Sequence, residues 1–248
     1  YFKYIVMMRN MANKFIIPVI LICLSVNALS QVPKTYYSYQ SGDWDNPLTW
    51  TTDPSGTISV NPGVPGMFDR VIILNGRTVV TNVARTVRSL QINLGGILDI
   101  GNTTGHNFGD VRGQGFLRLS TNQFPGGNFT EFVSKDGGTV EYYNSSNFNF
   151  NQYEYNNLII NLNNSSTTAT IVGNLRINGN LTVKRGVFQI NDDYSTTART
   201  VIIDGDVLVE PQGSITLGSG NTNHTVYISG NLTNNGRVDF YEDNAPDY

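Results

Sequence analysis

One eight-residue pattern occurs three times in this chain: RINGNLTV at residues 176–183, IIDGDVLV at residues 202–209 and YISGNLTN at residues 227–234. The central glycines of the three copies lie 26 and 25 residues apart. A fixed period of this size, built from short β-prone segments, is typical of a solenoid in which each coil stacks on the one before it. A Greek-key sandwich also has many short strands. Because sandwiches do not repeat their sequence at a fixed spacing, the pattern favours the solenoid.

The same alternation extends over most of the chain, where nine glycines are each followed by apolar residues two and four positions later. These are Gly96, Gly115, Gly138, Gly173, Gly179, Gly186, Gly205, Gly213 and Gly236. Alternate apolar positions are what a strand with one buried face requires. The glycine ahead of each strand supplies a tight bend or a positive φ. We therefore predict that these apolar residues point into the core of the coils.

A polar residue follows the central glycine in each copy of the repeated pattern. Asn180, Asp206 and Asn231 occupy the same coil position, directly after the bend. Asn and Asp side chains form hydrogen bonds with nearby backbone and tolerate turn geometry. Stacked on neighbouring coils, these three side chains are predicted to form a polar ladder along the solenoid.

The composition supports a β-rich chain without a nucleic-acid or membrane partner. The 248 residues include 25 Gly, only 14% are charged, and the formal net charge is −3 at pH 7. Gly and Asn are poor in helix interiors, whereas Thr, Tyr, Phe, Val and Ile suit strands. Nucleic acid and anionic membrane surfaces require basic patches, so the charge argues against both.

We predict an all-β fold, a single-stranded, right-handed parallel β-helix with an N-terminal cap. The expected divisions are an upstream extension plus signal peptide (1–30), the cap and entry strands (31–70), a first solenoid part (71–143), an Asn- and aromatic-rich link (144–156) and a second solenoid part (157–248). The sequence stops within the repeat array, which would leave a bare sheet edge. We therefore expect that the second solenoid part is truncated. We also expect a monomer.

The N-terminus has the organisation of a secretory signal peptide. A short basic segment, MANK at residues 11–14, precedes an apolar run from Phe15 to Val26 and the small residues of ALS at 28–30. A membrane anchor needs about 20 apolar residues, and this run is shorter and contains Pro18. We expect cleavage after residue 30 and a secreted or cell-surface protein. Cleavage would also remove Cys23, the one cysteine, and with it any thiolate chemistry.

Few residues point to catalysis or metal binding. The two histidines, His106 and His224, have no neighbouring ligand at metal-binding spacing, so we predict no metal site and no cofactor. Asp192 and Asp193 form a carboxylate pair that resembles an acid and base for glycoside chemistry, although turn residues often carry Asp as well. An acidic tail is a second option, as a Ca²⁺ site without a known loop signature. Its members are Asp239, Glu242, Asp243 and Asp247.

Aromatic residues are the other functional hint. Trp44 and Trp50 cluster near the start of the expected mature chain, and Tyr142 and Tyr143 lie just before the link. Such rings can stack on sugars, so all four are candidate glycan-binding residues. For the two tryptophans, a second interpretation is that they cover the first coil as an N-terminal cap, because a buried Trp removes a large area from water.

Several segments point to one group of bacterial proteins. They are GDWDNPLTW at 42–50, GGTVEYY at 137–143 with YNNLII at 155–160, and the GNL and NNG triplets at 230–232 and 234–236. These segments resemble secreted surface proteins of bacteria with a type IX secretion system. The first one, together with PGVP at 62–65, is also similar to the eight-glycine extracellular domain. The resemblance implies export, surface attachment and a C-terminal sorting domain, and nothing after Phe240 looks like such a domain.

The sequence therefore predicts a non-catalytic, secreted or cell-surface β-solenoid with a structural or adhesive role. It would present other modules or contact extracellular polysaccharide or other cell-surface components. Two alternatives remain open, a β-helix enzyme that degrades polysaccharide and a carbohydrate-binding module. Neither nucleic acid nor, after signal cleavage, a transmembrane segment is expected.

Overall fold

A computed structural model describes residues 32–191, 196–218 and 222–240. The chain divides into two units, Tyr1–Pro33 and Lys34–Tyr248, and the second contains the solenoid. It is nearly all β, with about 3% helix, and its parallel strands stack into a β-solenoid of about 7 turns. The predicted fold class is thus confirmed. The predicted signal peptide, residues 1–30, lies outside the described residues.

The strands follow one another closely along the chain. The first eleven are β1 (Thr35–Ser38), β2 (Gly42–Asp43), β3 (Trp50–Thr51), β4 (Arg70–Ile73), β5 (Thr78–Val80), β6 (Ser89–Ile92), β7 (Ile97–Gly101), β8 (Asn107–Arg112), β9 (Phe116–Leu119), β10 (Gly126–Asn128) and β11 (Thr139–Tyr143). The others are β12 (Phe148–Asn149), β13 (Glu154–Tyr155), β14 (Asn157–Asn161), β15 (Thr168–Thr170), β16 (Leu175–Ile177), β17 (Leu181–Gln189), β18 (Thr200–Ile203), β19 (Val207–Thr216), β20 (Thr225–Ile228), β21 (Leu232–Asn234) and β22 (Arg237–Asp239). A 3₁₀ helix, Pro47–Thr49, and a short helix α1, Thr130–Val133, interrupt them.

Three sheets run along the stack. The first sheet has the order β10-β8-β6-β4-β1-β3, parallel except for the antiparallel pair β1–β3. The second and longest runs β2-β5-β7-β9-β11-β14-β17-β19, with β12 and β15 added beside β17, and β21 and β22 both paired with β19. The third has the order β13-β16-β18-β20. The first sheet therefore ends at β10, and the third begins at β13, on the far side of α1.

The core is formed by equivalent side chains stacked from coil to coil. In the second sheet, the parallel register aligns Leu98, Leu117, Val140, Leu158 and Leu181, all of them buried. Each such aliphatic side chain contributes about 1.5–3 kcal/mol relative to an exposed position. The predicted inward positions are buried for every glycine of the series up to Gly205. After Gly213 and Gly236, Leu217 and Val238 are only partly buried and Phe240 is exposed.

Most of the nine glycines are needed for a different physical reason from the predicted bend or positive φ. Of the nine, only Gly186 has a positive φ, of 102°. At Gly213, whose φ is ordinary, an added Cβ would come closer than 3.0 Å to the carbonyl oxygen of Val183 on the preceding coil. At Gly115, it would lie 2.5 Å from the carbonyl oxygen of Asn93. Most of these glycines are therefore required by the close approach of stacked backbones.

The coils differ in length between the two parts of the stack. Val79 pairs with Leu98 and Leu98 with Leu117, a step of 19 residues each time. Leu181 pairs with Val207 and Val207 with Leu232, with steps of 26 and 25 residues. In the longer coils the second strand of each turn is extended, to 9 residues in β17 and 10 in β19. We call residues 70–119 the short coils and residues 175–234 the long coils.

Candidate functional site

The tryptophans predicted as sugar-stacking residues lie in the core of the first coil. Trp44 and Trp50 have no exposed surface, their rings are 5.0 Å apart, and Trp50 Nε1 donates to the carbonyl oxygen of Trp44 at 2.7 Å. Tyr36 packs edge-on against Trp50. The glycan-binding prediction is therefore wrong for both tryptophans, because neither ring offers a free face. Their position supports the alternative interpretation, the N-terminal cap.

Tyr142 and Tyr143 follow each other in β11 and so point to opposite faces of the sheet. Tyr142 is fully buried and shares a 2.8 Å hydrogen bond with the hydroxyl of Tyr155. Burial raises the pKa of both phenols well above 10. The glycan-binding prediction is wrong for Tyr142 as well, since its ring is part of the core. Tyr143 lies on the outer face and is partly exposed.

Tyr143 belongs to a cluster of charged side chains on the outside of the second sheet. Asp99, Arg118 and Glu141 occupy directly paired positions on β7, β9 and β11. Arg118 Nη1 lies 3.1 Å from Asp99 Oδ2, and Arg118 Nε lies 2.7 Å from Glu141 Oε2. The two carboxylates have only 12% and 10% of their side-chain surface exposed. A single guanidinium thus joins two acids on three successive coils.

Further donors complete the cluster. The Tyr143 hydroxyl donates to Asp99 Oδ1 at 2.7 Å, and the backbone N–H of Gly101 donates to the same oxygen at 2.9 Å. Asn161 Nδ2 donates to Glu141 Oε1 at 3.1 Å. The Tyr143 ring also lies 4.3 Å from the guanidinium carbon of Arg118, in a cation–π contact. Each of the four carboxylate oxygens therefore accepts at least one hydrogen bond.

The electrostatics of the cluster follow from this packing. Burial, together with the hydrogen bond to Asp99 and its negative charge, raises the pKa of Tyr143 to about 12. Burial alone would lower the pKa of Arg118, but the hydrogen bond and charge of Glu141, helped by Asp99, outweigh it and raise the value. Tyr143 therefore stays neutral and Arg118 charged near neutral pH. Two carboxylates beside an arginine have the composition of an acid–base site, but here they are already fully hydrogen-bonded.

The sequence carries a signal for this cluster at a third offset from the same glycines. Asp99, Arg118 and Glu141 each stand three residues after one of the glycines in the series, at Gly96, Gly115 and Gly138. Positions two and four after each glycine face inward, so position three faces outward. Charges of alternating sign at that position on consecutive coils predict an ion-pair row.

The predicted polar ladder is present on the long coils. Asn157 Oδ1 accepts from the backbone N–H of Asn180 at 2.9 Å, and Asn180 Oδ1 accepts from that of Asp206 at 2.8 Å. Asp206 Oδ1 in turn accepts from the backbone N–H of Asn231 at 2.7 Å. Each of these three side chains thus satisfies the main chain of the following coil. Asn180, Asp206 and Asn231 are the residues predicted for the ladder, and the structure adds Asn157 at its start.

The histidines lie where one coil meets the next. His106 Nδ1 accepts from the backbone N–H of Arg85 at 3.2 Å, its Nε2 lies 2.8 Å from Thr103 Oγ1, and its ring stacks on Phe108. Burial lowers the pKa of His106. His224 Nδ1 accepts from the backbone N–H of Arg199 at 3.0 Å. Both rings therefore act as acceptors for the main chain of the preceding coil.

The remaining predicted sites can be placed only in part. Asp192 and Asp193 lie outside the described residues, as do Glu242, Asp243 and Asp247 of the acidic tail. Asp239 is described and forms an ion pair with Arg237. Within the described residues, no group of three or more His, Cys, Asp or Glu side chains is arranged to hold a metal ion. The same part of the chain contains no helix long and apolar enough to cross a membrane.

Comparison with known proteins finds no matching family model, no matching curated protein and no matching solved structure.

Proposed function

We propose that this chain is a non-catalytic, extracellular β-solenoid that acts as a structural or adhesive module at the cell surface. The observation that carries the proposal is the state of the Asp99–Arg118–Glu141 cluster, in which every carboxylate oxygen is occupied by a donor from the protein. Asp99 and Glu141, held in this way by Arg118, link neighbouring strands of the sheet to one another. A general acid or base needs instead to reach a proton on its substrate.

The regular stacking supports a role as a stiff connecting piece. Coils are joined by parallel backbone pairing, by the cluster on the short coils and by the Asn and Asp ladder on the long coils. Each coil adds about 4.8 Å along the stack, so about 7 turns separate the two ends by roughly 34 Å. A module of this length would hold neighbouring domains apart at a fixed distance.

The extracellular location rests on the signal-like segment at residues 11–30. Expression in a bacterium with an outer membrane, followed by N-terminal sequencing of the protein recovered outside the cytoplasm, tests it. We expect Gln31 as the first residue. Substituting Arg for Leu21, in the middle of the apolar run, should keep the protein inside with its N-terminus intact. Unprocessed cytoplasmic protein in both cases would contradict the extracellular proposal.

The enzyme alternative is tested directly by turnover. The full chain is incubated with neutral and acidic polysaccharides, and new reducing ends and unsaturated products are measured. We expect none above the background of a heat-denatured sample. The double variant Asp192→Asn/Asp193→Asn is assayed in parallel, with Asp136→Asn as a control, because Asp136 has a φ of 66° that Asn also tolerates. Turnover that disappears only in the double variant would replace our proposal with the enzyme.

A further inference from the structure

An arginine-lined cavity lies on the outer face of the first sheet. It has a volume of about 360 Å³, within the usual range of ligand sites, and three of its lining residues are Arg70, Arg88 and Arg112. Arg70 begins β4, Arg112 ends β8, and Arg88 directly precedes β6 between them. All three are exposed, whereas the residues next to them in the chain, Val71, Val87 and Val111, are buried in the core. The stacking of three coils thus brings three positive charges to one hollow.

None of these three arginines forms an ion pair with a described carboxylate. Arg85, Arg118, Arg176 and Arg237 each form an ion pair with an Asp or Glu. In the cavity, Arg112 Nε donates to Gln91 Oε1 at 3.0 Å, and the described residues provide no ion pair for any of the three. Arg70 and Arg88 have no side-chain hydrogen bond within that part of the chain either. Their guanidinium groups are therefore available to an incoming anion.

Two acidic side chains, Asp110 and Glu131, line the same cavity. Asp110 Oδ1 accepts from Asn128 Nδ2 at 3.1 Å, which ties one carboxylate to the next coil. The lining still carries one more positive than negative charge, in a chain with a net charge of −3. A ligand that suits this lining has anionic groups for the arginines and hydroxyl donors for the two carboxylates. Acidic sugars combine both.

We propose that the Arg70–Arg88–Arg112 cavity binds an acidic polysaccharide through its carboxylate or sulfate groups. Guanidinium groups bind such anions through paired N–H donors, which lysines cannot reproduce. The choice of a polysaccharide rests on the proposed extracellular function, whereas the anion site itself follows from the arginines alone. None of the aromatic residues predicted as sugar-binding takes part.

Binding of the full chain to immobilised polygalacturonate, dextran sulfate and uncharged dextran tests the proposal. We expect binding to at least one charged polymer, no binding to dextran, and weakening as salt is added. The ratio between the two charged polymers tells carboxylate from sulfate recognition. Arg70→Gln and Arg88→Gln should each weaken binding about fivefold, the size expected for an exposed ion pair, and the triple Gln variant on the order of a hundredfold.

Arg77→Gln is the matched control, since Arg77 also lacks an ion pair among the described residues but lies outside the cavity. Its affinity should equal that of the unchanged protein, and circular dichroism should be the same for all variants. Equal binding by the triple variant, or equal binding to dextran, would overturn the proposal. So would tighter binding to DNA or to anionic phospholipid vesicles. An unprocessed cytoplasmic protein that still binds through these arginines would refute the extracellular function and leave the anion site standing.

Discussion

The short coils and the long coils reach the same stacked core with different outer surfaces. In the short coils, the exposed faces are joined by side chains of opposite charge, Asp99, Arg118 and, one coil further, Glu141. In the long coils, amide and carboxylate oxygens of residues such as Asn180 and Asp206 accept from the backbone of the next coil. A side-chain-to-backbone ladder needs a short side chain with an acceptor oxygen, Asn or Asp, at the same place in every coil. The sequence repeat is therefore visible in the long coils and hidden in the short ones.

The largest expected loss of stability comes from the close backbone stacking that the short and long coils share. Gly115→Ala in the short coils and Gly213→Ala in the long coils both place a Cβ against a carbonyl of the preceding coil. Each should lower the free energy of unfolding by about 4 kcal/mol, because stacked backbone cannot move aside locally. Urea denaturation measures the change. Gly76→Ala is the control, with open space around its Cβ, and should cost about 1 kcal/mol for its positive φ of 71°. Equal losses at all three sites would contradict close stacking.

The second largest effect should distinguish the short coils from the long coils, because it removes an ion pair from each. Arg118→Gln leaves two largely buried carboxylates facing each other and should cost about 3 kcal/mol. Arg176→Gln removes the more exposed ion pair with Asp204 in the long coils and should cost less than about 1 kcal/mol. Adding Glu141→Gln to Arg118→Gln should restore part of the loss. If the two single variants lose the same stability, charge is not what distinguishes the short coils.

A third change tests the ladder of the long coils. Asn180→Ala removes the acceptor for the backbone N–H of Asp206 and should cost about 1 kcal/mol. Asn180→Asp keeps an acceptor oxygen, as Asp206 does naturally one coil later, and should be nearly neutral. Thermal unfolding followed by circular dichroism compares the two. A larger loss for Asp than for Ala would show that the ladder depends on the amide group rather than on the acceptor.

The smallest effect concerns pH and the short coils. Burial lowers the pKa of His106 from its usual value of 6.5, so below that pH the unfolded chain binds a proton that the folded chain resists. The free energy of unfolding should therefore fall as pH drops from 6.5 through the folded pKa, and be fully present above 6.5. Urea denaturation at about pH 7.5 and 5.5 should show a smaller difference for His106→Gln than for the unchanged protein. Because His224 is present in both, an identical difference would exclude His106 as the source.

The sequence predicted the features that recur at a constant offset from a glycine. Inward residues such as Leu117 and Leu181, and the ladder at Asn180, follow from counting two or one residues onward, because neighbouring coils share that local geometry. The charged cluster was equally available at an offset of three. The burial of Trp44 was harder to predict, because a ring in a cap and a ring on a surface have the same local sequence.

The arginine cavity could not be predicted because its members do not share an offset. Val71 pairs with Leu90, and Leu90 pairs with Val111, with steps of 19 and 21 residues. Because the coils are unequal in length, the relative positions of Arg70 and Arg112 depend on the register of β4, β6 and β8, which cannot be read from the sequence. The sequence also did not predict that the third sheet replaces the first near α1. The helix α1 and the aromatic residues around it belong to no repeat, so no constant offset indicates their place.

The polar ladder also has a direction that bears on how the chain folds. The acceptor always belongs to the earlier coil and the donor to the later one, from Asn157 through Asn180 and Asp206 to Asn231. A chain that emerges from the ribosome or from an export channel with its N-terminus first completes the earlier coil first. Each finished coil then presents an oriented oxygen to the segment that follows, so the ladder favours assembly in the order of synthesis and keeps each new strand in register as it arrives.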